Sequence, residues 1–538
     1  MKKIYLTLAM VASLGMFSSC SDDDYTSKYT DPSKTSTASC DKLMTGVFLA
    51  GKQYTFNTYW RMYTWDNGII GKYAQTIGFT NSPGSMYSAQ DSYVNDRWSN
   101  FYTILAQYRT LQDVYSKESE TSQADDKIFL DLSEVFLYDH LTQIIDIWGD
   151  VPFSTAGNLS LTGDVKGSRA SYDDAKTLYT DVLKRLGELA TDIQSLSGNL
   201  SPITSAALPS QDYINKGDLT RWVKYCNDLR LRLAVRVASQ GDLASTGRAA
   251  IAEILNSNAS LSTTFDDNIS LVGDNGSTDE FNFSDAIRDG YKDHSRASQQ
   301  MLDVLQTSKN ASVGQDDYRL PIMYSKNSRG EYKGLSPRED YGDQETNVSF
   351  NEAQRVYSRI DSTTIIYNQY LRQPIITTAE VDFLRAECYL NGWANGGESA
   401  AKAAFINGVV NSTKYYFDCN AASESSYGFK GTEPDEADVR AYAEKLWNAE
   451  PNKLKVIIEQ KWLNFGFLQP SQAWNEVRRT GYPELYFQTD NTAQIVKEVP
   501  VRVQYPGSER SYNTDNYNAE LQKMGGSDSY YIKLFWAK

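Results

Sequence analysis

Leu219, Trp222, Cys226, Leu229, Leu233 and Val237 recur at intervals of three and four residues. That spacing returns to one side of a 3.6-residue helix, so the segment carries an apolar stripe that needs a partner. Asp218 stands at the N-cap position. Arg230, Arg232 and Arg236 fall off the stripe and are expected on a solvated or salt-bridged face. The same period recurs in residues 126–148 (Ile128, Leu132, Val135, Tyr138, Ile145) and in residues 454–465 (Leu454, Ile457, Ile458, Trp462, Phe465). Thr377 and Glu380 have capping-box spacing ahead of Val381, Leu384 and Cys388, and Gly392 is a stop signal. Residues 398–409 supply a second helix with Ala401, Ala404, Phe405 and Gly408 facing inward. Two such helices with small residues between them form a hairpin like a tetratricopeptide unit. The fold class expected is mostly α.

The chain has 538 residues and a formal net charge of −15. No basic footprint is visible, so a nucleic-acid partner is not expected. The same acidity disfavours docking on anionic lipid by charge alone. There are 37 Tyr and 10 Trp but only 2 His. Tyr and Trp present flat apolar faces with polar edges, which suit amphipathic ligands such as sugars. Two distant histidines and no CxxC pair leave no zinc-ligand pattern. Cys226 and Cys388 read as buried; Cys40 and Cys419 lie in loop-like sequence, where a bridge is possible but unsignalled. Residues 316–317 and 433–438 lack calcium-loop spacing and read as solvated acidic turns, so no metal or other cofactor is expected. There is no GxSxG, HExxH or phosphate loop, and Gly392, Gly396 and Gly397 follow a helix rather than a strand. His140 sits in a helical stripe, where a core or cap hydrogen bond is its expected role. No catalytic residue is assigned. A glycosidase pair of carboxylates can be neither excluded nor located among 68 acidic residues.

Lys2 and Lys3, the short apolar run of residues 4–17, and Ser18, Ser19 and Cys20 have the order of a secretory signal. The run is shorter than the ~20 residues of a membrane-spanning helix. Residues 1–19 are therefore expected to be a signal peptide, with Cys20 the lipidated first residue of the mature chain. Residues 20–41, rich in Ser, Thr, Asp and Lys, are expected to be a flexible tether. Residues 42–538 are then one domain, with a loop-rich insertion around 256–374 where Gly, Asn, Asp, Ser and Tyr are frequent.

Several segments, in order, carry a resemblance to a known family. Residues 147–153 (Ile-Trp-Gly-Asp-Val-Pro-Phe) look like its turn after a long helix, and residues 217–234 like its central helix. Residues 317–320 (Asp-Tyr-Arg-Leu) stand where it has Asp-Pro-Arg-Leu, and residues 377–392 match its Ala-Glu-Val-rich helix. Residues 474–483 (Trp-Asn-Glu-Val-Arg-Arg-Thr-Gly-Tyr-Pro) are the most specific match, and residues 502–517 complete it. The chain resembles the SusD/RagB group of surface lipoproteins, in its SusD-like branch. The resemblance implies four tetratricopeptide-like helix pairs and a loop-rich ligand-binding lobe. It implies a non-catalytic oligosaccharide-binding subunit of a nutrient-uptake complex, acting as a hinged lid over a SusC-like TonB-dependent outer-membrane transporter. The acidic run Asp22, Asp23 and Asp24 resembles the signal that sends such lipoproteins to the outer face of the outer membrane. Peptide capture, which part of the family shows, is the alternative, with surface glycosidase activity behind it.

Sugar recognition needs aromatic faces for C–H surfaces and polar groups for hydroxyls. Binding groups of this kind concentrate on loops held by a rigid scaffold. Two regions qualify. The first holds Trp65, Asp66, Asn67, Tyr73, Gln75, Tyr87 and Tyr93, with Trp60 and Gln90 at its margins. The second runs from Tyr291 to Tyr341, with Asp293, His294 and Arg296.

Overall fold

The computed structural model describes residues 38–272, 284–291, 295–348 and 354–538. Cys20, the signal peptide, nearly all of the tether, Asp293 and His294 lie outside them. Eleven α-helices frame the fold: α1 (Cys40–Ala50), α2 (Asp91–Ser116), α3 (Glu120–Trp148), α4 (Ala175–Leu196), α5 (Leu219–Ala238), α6 (Ser284–Tyr291), α7 (Thr378–Leu390), α8 (Gly397–Ala422), α9 (Glu436–Ala449), α10 (Lys453–Phe465) and α11 (Pro470–Thr480). A π-helix, Trp60–Ile70, lies between α1 and α2. Four helix pairs build the scaffold: α2 on α3, α4 on α5, α7 on α8, and α9 on α10. Two short antiparallel ribbons join them, β1 (Ile269–Val272) with β4 (Arg372–Ile376) and β2 (Tyr324–Ser325) with β3 (Arg359–Ile360). Among the described residues no helix is long and apolar enough to cross a membrane.

The sequence signals explain the helix ends. The Asp218 side chain accepts from Arg221 N at 3.1 Å, and Thr377 accepts from Glu380 N at 3.2 Å. Gly408 lets α7 and α8 approach closely: a Cβ there would lie 2.6 Å from the Phe383 ring. The Glu380 carboxylate does not turn back to complete a capping box. It bonds Arg232 instead, at 2.6 Å.

That bond is one of several that make the α5 arginines salt-bridged, the second of the two expected alternatives, on a buried rather than a solvated face. Arg232 and Arg236 are buried, and Arg230 nearly so, because α5 is packed by helices on several sides. Their long stems carry the guanidinium groups to carboxylates of neighbouring helices: Arg232 to Glu380 and Asp139, Arg236 to Asp146, and Arg230 to Glu253.

Residues 474–480 serve the interior. Arg479, on α11, lies 2.6 Å from Glu387 of α7 and 2.5 Å from Glu476. Lys461, on α10, lies 3.0 Å from Glu476 and 3.4 Å from Glu387. All four side chains are buried, two cations against two anions. Burial opposes ionisation of Glu476, but Arg479 and Lys461 prevail and hold its carboxyl below the usual carboxylate range. Arg478 lies over the Trp474 ring at 3.5 Å and donates to the carbonyls of Asp146 (2.8 Å) and Val501 (2.9 Å).

Three further expectations are corrected. Asp317 is no solvated turn: it is buried and pairs with Arg319 at 2.7 Å, where Ser412 and Gln460 also receive the guanidinium. Cys40 and Cys419 lie on α1 and α8 rather than in loops, and both are buried free thiols. Helix α8 runs thirteen residues past Val409, to Ala422. His140 is buried, bonded to Phe136 O at 2.6 Å and to the Thr55 hydroxyl, and burial pushes its pKa down to about 4.

Candidate ligand-binding cleft

The loop-rich lobe opens into a cleft of about 1220 Å³. Helix α6, the β2–β3 ribbon, the short turn Ser362–Ile366 and the loop at 425–429 form its walls. Asp361 organises it. One carboxylate oxygen accepts from Thr363 N (2.9 Å) and Thr364 N (2.8 Å), capping the turn that precedes Tyr367. The other accepts from Phe429 N at 3.3 Å and so holds the loop. Gly428 N donates to the Thr363 hydroxyl at 2.7 Å, and Phe429 O accepts from Asn420 at 2.7 Å. Gly428 is required by space: a Cβ there would lie 2.6 Å from Asp361 and 2.7 Å from Thr363 N.

Because the backbone of this loop is clamped inward, its rings point out. Tyr427 is 79% exposed, Phe429 49% and Tyr367 42%. The Tyr367 and Tyr427 rings lie 4.9 Å apart at 44°, an open V of two aromatic faces. Tyr291 and Tyr324 line the cleft from below, each edge-on to Phe467. Tyr291 donates to Phe467 O at 3.2 Å, whereas the buried Tyr324 hydroxyl has no hydrogen-bond partner among the described residues. An unpaired hydroxyl bordering a cleft can serve a ligand or a bound water. Arg288, Lys326, Arg355 and Arg359 add cations to the lining.

Beyond α6 lies a second aromatic surface. Asn67 donates to Gly290 O at 3.0 Å, fastening the π-helix to α6. On its outer side Tyr59 and Tyr63 stack at 5.1 Å, with Trp60 edge-on to Tyr59 and 51% exposed.

The first region named from sequence is mostly interior. Trp65, Asp66, Asn67, Tyr73, Gln75 and Tyr87 are all buried. Trp65 stacks on Trp148, Asp66 pairs with Arg61 at 3.0 Å, and Gln75 donates to Tyr486 O. Tyr73 donates to Tyr87 O at 2.6 Å and Tyr87 to Gln488 O at 2.7 Å. Tyr73, Gln75 and Tyr87 donate to the protein's own backbone and all six side chains are buried, so the expectation of a solvent-facing cluster there is corrected. Tyr93 is half-buried at the start of α2, Gln90 is exposed just before it, and Trp60 faces out. In the second region Tyr291 borders the cleft, while Arg296 is half-buried and its backbone bridges Arg359. Tyr367, Tyr427 and Phe429, which line the cleft, were not named from the sequence. The available signal was an aromatic-Gly-aromatic triplet in a Ser- and Gly-rich stretch after a helix.

Among the described residues Cys40, Glu118 and Asp126 form a group close enough to share an ion. The Cys40 thiol is pushed far up by burial and by Glu118, and it donates to Glu118 at 3.3 Å. A proton held there makes this a hydrogen-bonded cluster.

Four helix pairs that hold an aromatic cleft on clamped loops define a helical binding scaffold. The sequence pattern of the SusD-like_2 family, described as starch-binding and associating with the outer membrane, matches residues 35–506, and the chain belongs to that family. A chitin-binding protein of known structure is 20% identical, with a TM-score of 0.72, covering 93% of this chain and all of the other. A chitin-binding SusD homolog from Flavobacterium johnsoniae is 18% identical (TM-score 0.64; 92% and 98% covered). A SusD homolog from Parabacteroides distasonis is also 18% identical (TM-score 0.69; 93% and 98% covered). These likenesses establish a shared fold. No curated protein matches the sequence.

Proposed function

We propose that this chain is a non-catalytic, glycan-binding lipoprotein of the cell surface. Cys20 anchors it to the outer membrane, facing outward, where it delivers oligosaccharides to a SusC-like TonB-dependent transporter. The observation that carries the reading is the exposed V of Tyr367 and Tyr427 in a cleft with Phe429. Pyranose C–H faces lie on such rings, and hydroxyls take the polar groups around them. The family's description as starch-binding and the chitin-binding relatives support the same class of ligand. The N-terminal signal pattern supports the anchor.

The cleft carbohydrate chemistry is recognition rather than hydrolysis. Of the carboxylates lining it among the described residues, Asp361 is turned to backbone donors and Asp289 to Arg288. Neither stands as a free acid or base across an open site. Calorimetric titration against a panel of oligosaccharides and peptides tests the reading. Tyr427→Ala is expected to weaken glycan binding about tenfold. Absence of glycan binding by the folded protein, or release of reducing sugar, would overturn it. Labelled palmitate is expected in the wild-type chain and absent from Cys20→Ala.

A further inference from the structure

The π-helix divides its residues between two tasks. Its inner face serves the protein: Arg61 pairs with Asp66 at 3.0 Å, and Trp65 stacks on Trp148. Burying residues 61, 62, 65 and 66 leaves Tyr59, Trp60 and Tyr63 on the outer side. Tyr59 and Trp60 are exposed, and Trp60 stands edge-on to Tyr59 at 5.6 Å. Tyr63 is half-buried and stacks with Tyr59 at 5.1 Å and 15°, which holds that ring in place.

One helix, α6, joins this patch to the cleft. Asn67 of the π-helix donates to Gly290 O of α6 at 3.0 Å. A Cβ on Gly290 would lie 2.8 Å from Met62 Cβ, so the two helices touch there backbone to side-chain root. The next residue, Tyr291, already lines the cleft. The exposed side of α6 carries Asp285 and Arg288, an ion pair at 2.8 Å, and Arg288 also borders the cleft. A helix with its side chains is about 10–12 Å across, so a ligand that meets both Tyr427 and Trp60 must be longer than that. Aromatic residues of about 150–250 Å² each, only partly exposed, offer far less than the ~800 Å² per partner of a stable protein interface. A sugar ring needs only one aromatic face.

We infer that Tyr59 and Trp60 form a second glycan-contact site, and that the ligand is a long oligosaccharide running from the cleft across α6 onto these rings. This rests on the glycan-binding reading of the cleft. The chain's C–H faces lie on the rings at either end, and the charged groups of α6 hydrogen-bond its hydroxyls. Two weak contacts on one chain act on each other at high effective concentration. A glycan that reaches both therefore binds more tightly than one that fills the cleft alone.

Calorimetry with the mature protein tests this through chain length. The probes are maltotriose against maltoheptaose and chitotriose against chitohexaose. In the series that binds, the long probe is expected to be about tenfold tighter than its trisaccharide. Trp60→Ala should remove most of that gain and leave trisaccharide affinity unchanged, while Trp60→Phe, which keeps a flat ring, should retain most of it. Tyr427→Ala should weaken both lengths. Trp60 is exposed, so the Trp60→Ala protein should unfold at the wild-type temperature. Equal affinity for short and long probes, or a length gain that survives Trp60→Ala, would overturn the inference and leave the glycan reading intact. A loss with Trp60→Ala that is as large for the trisaccharide as for the long probe would also overturn it, since one site would then hold both. No binding by any probe would overturn both the inference and the reading it rests on.

Discussion

Two parts of this molecule use the same materials, arginine or lysine beside tyrosine and tryptophan, in opposite ways. In the seam between α7, α10 and α11, Arg479 and Lys461 are buried and each meets two carboxylates, while Arg478 lies over Trp474. In the cleft, Lys326 is exposed and Tyr427 and Tyr367 present open faces. The seam pairs its charges within the protein; the cleft leaves the Tyr367 and Tyr427 ring faces open to solvent. Charge and aromatic content alone therefore do not mark a binding site. Unspent hydrogen-bonding and stacking capacity does.

The comparison can be broken most forcefully at the seam. Arg479→Ala leaves Glu387 and Glu476 in the interior with Lys461 as their one cation in the seam and is expected to cost about 3–5 kcal/mol of stability. Urea denaturation reads it, and the glycan affinity of the folded fraction should not change. A loss below about 1 kcal/mol would mean the seam is no keystone.

Acid probes the interior next. The folded pKa of His140, about 4, lies below the unfolded value near 6.5. Its contribution is thus complete above about pH 6.5 and is lost as pH falls towards 4, on the order of 3 kcal/mol in all. Proton NMR should show His140 still neutral at pH 5.5.

At the cleft the effects reverse. Tyr427→Ala should lower glycan affinity about tenfold while changing stability by less than about 0.5 kcal/mol. The smallest effect sharpens the contrast between two tyrosines that look alike in sequence. Tyr73→Phe loses one buried hydrogen bond, to Tyr87 O, and should cost about 1 kcal/mol of stability with no change in affinity.

Much of the scaffold was legible without coordinates. The stripe from Leu219 to Val237, the caps at Asp218 and Thr377 and the stop at Gly392 all depend on neighbours within four residues, and the helices form where those signals stand. The family resemblance was legible because residues 474–480 must serve a buried network and leave few alternatives. The site was read less well. Trp65 and Tyr73 are as aromatic as Tyr367 and Tyr427, and composition ranks them alike. Of the tyrosines in the region from Tyr291 to Tyr341, Tyr291, Tyr324 and Tyr332 line the cleft.

Local order thus determined the helices, their ends and the kinship of the chain, since helix formation answers to side chains one turn away. Which arginines would be swallowed, which rings would face water, and that Tyr291, Tyr324, Tyr367 and Tyr427 would border one cleft were decided by packing. Burial and unmet pairing arise only when segments far apart in the chain are brought together, so the tertiary structure alone could sort the aromatic residues that hold the protein from those free to hold a ligand.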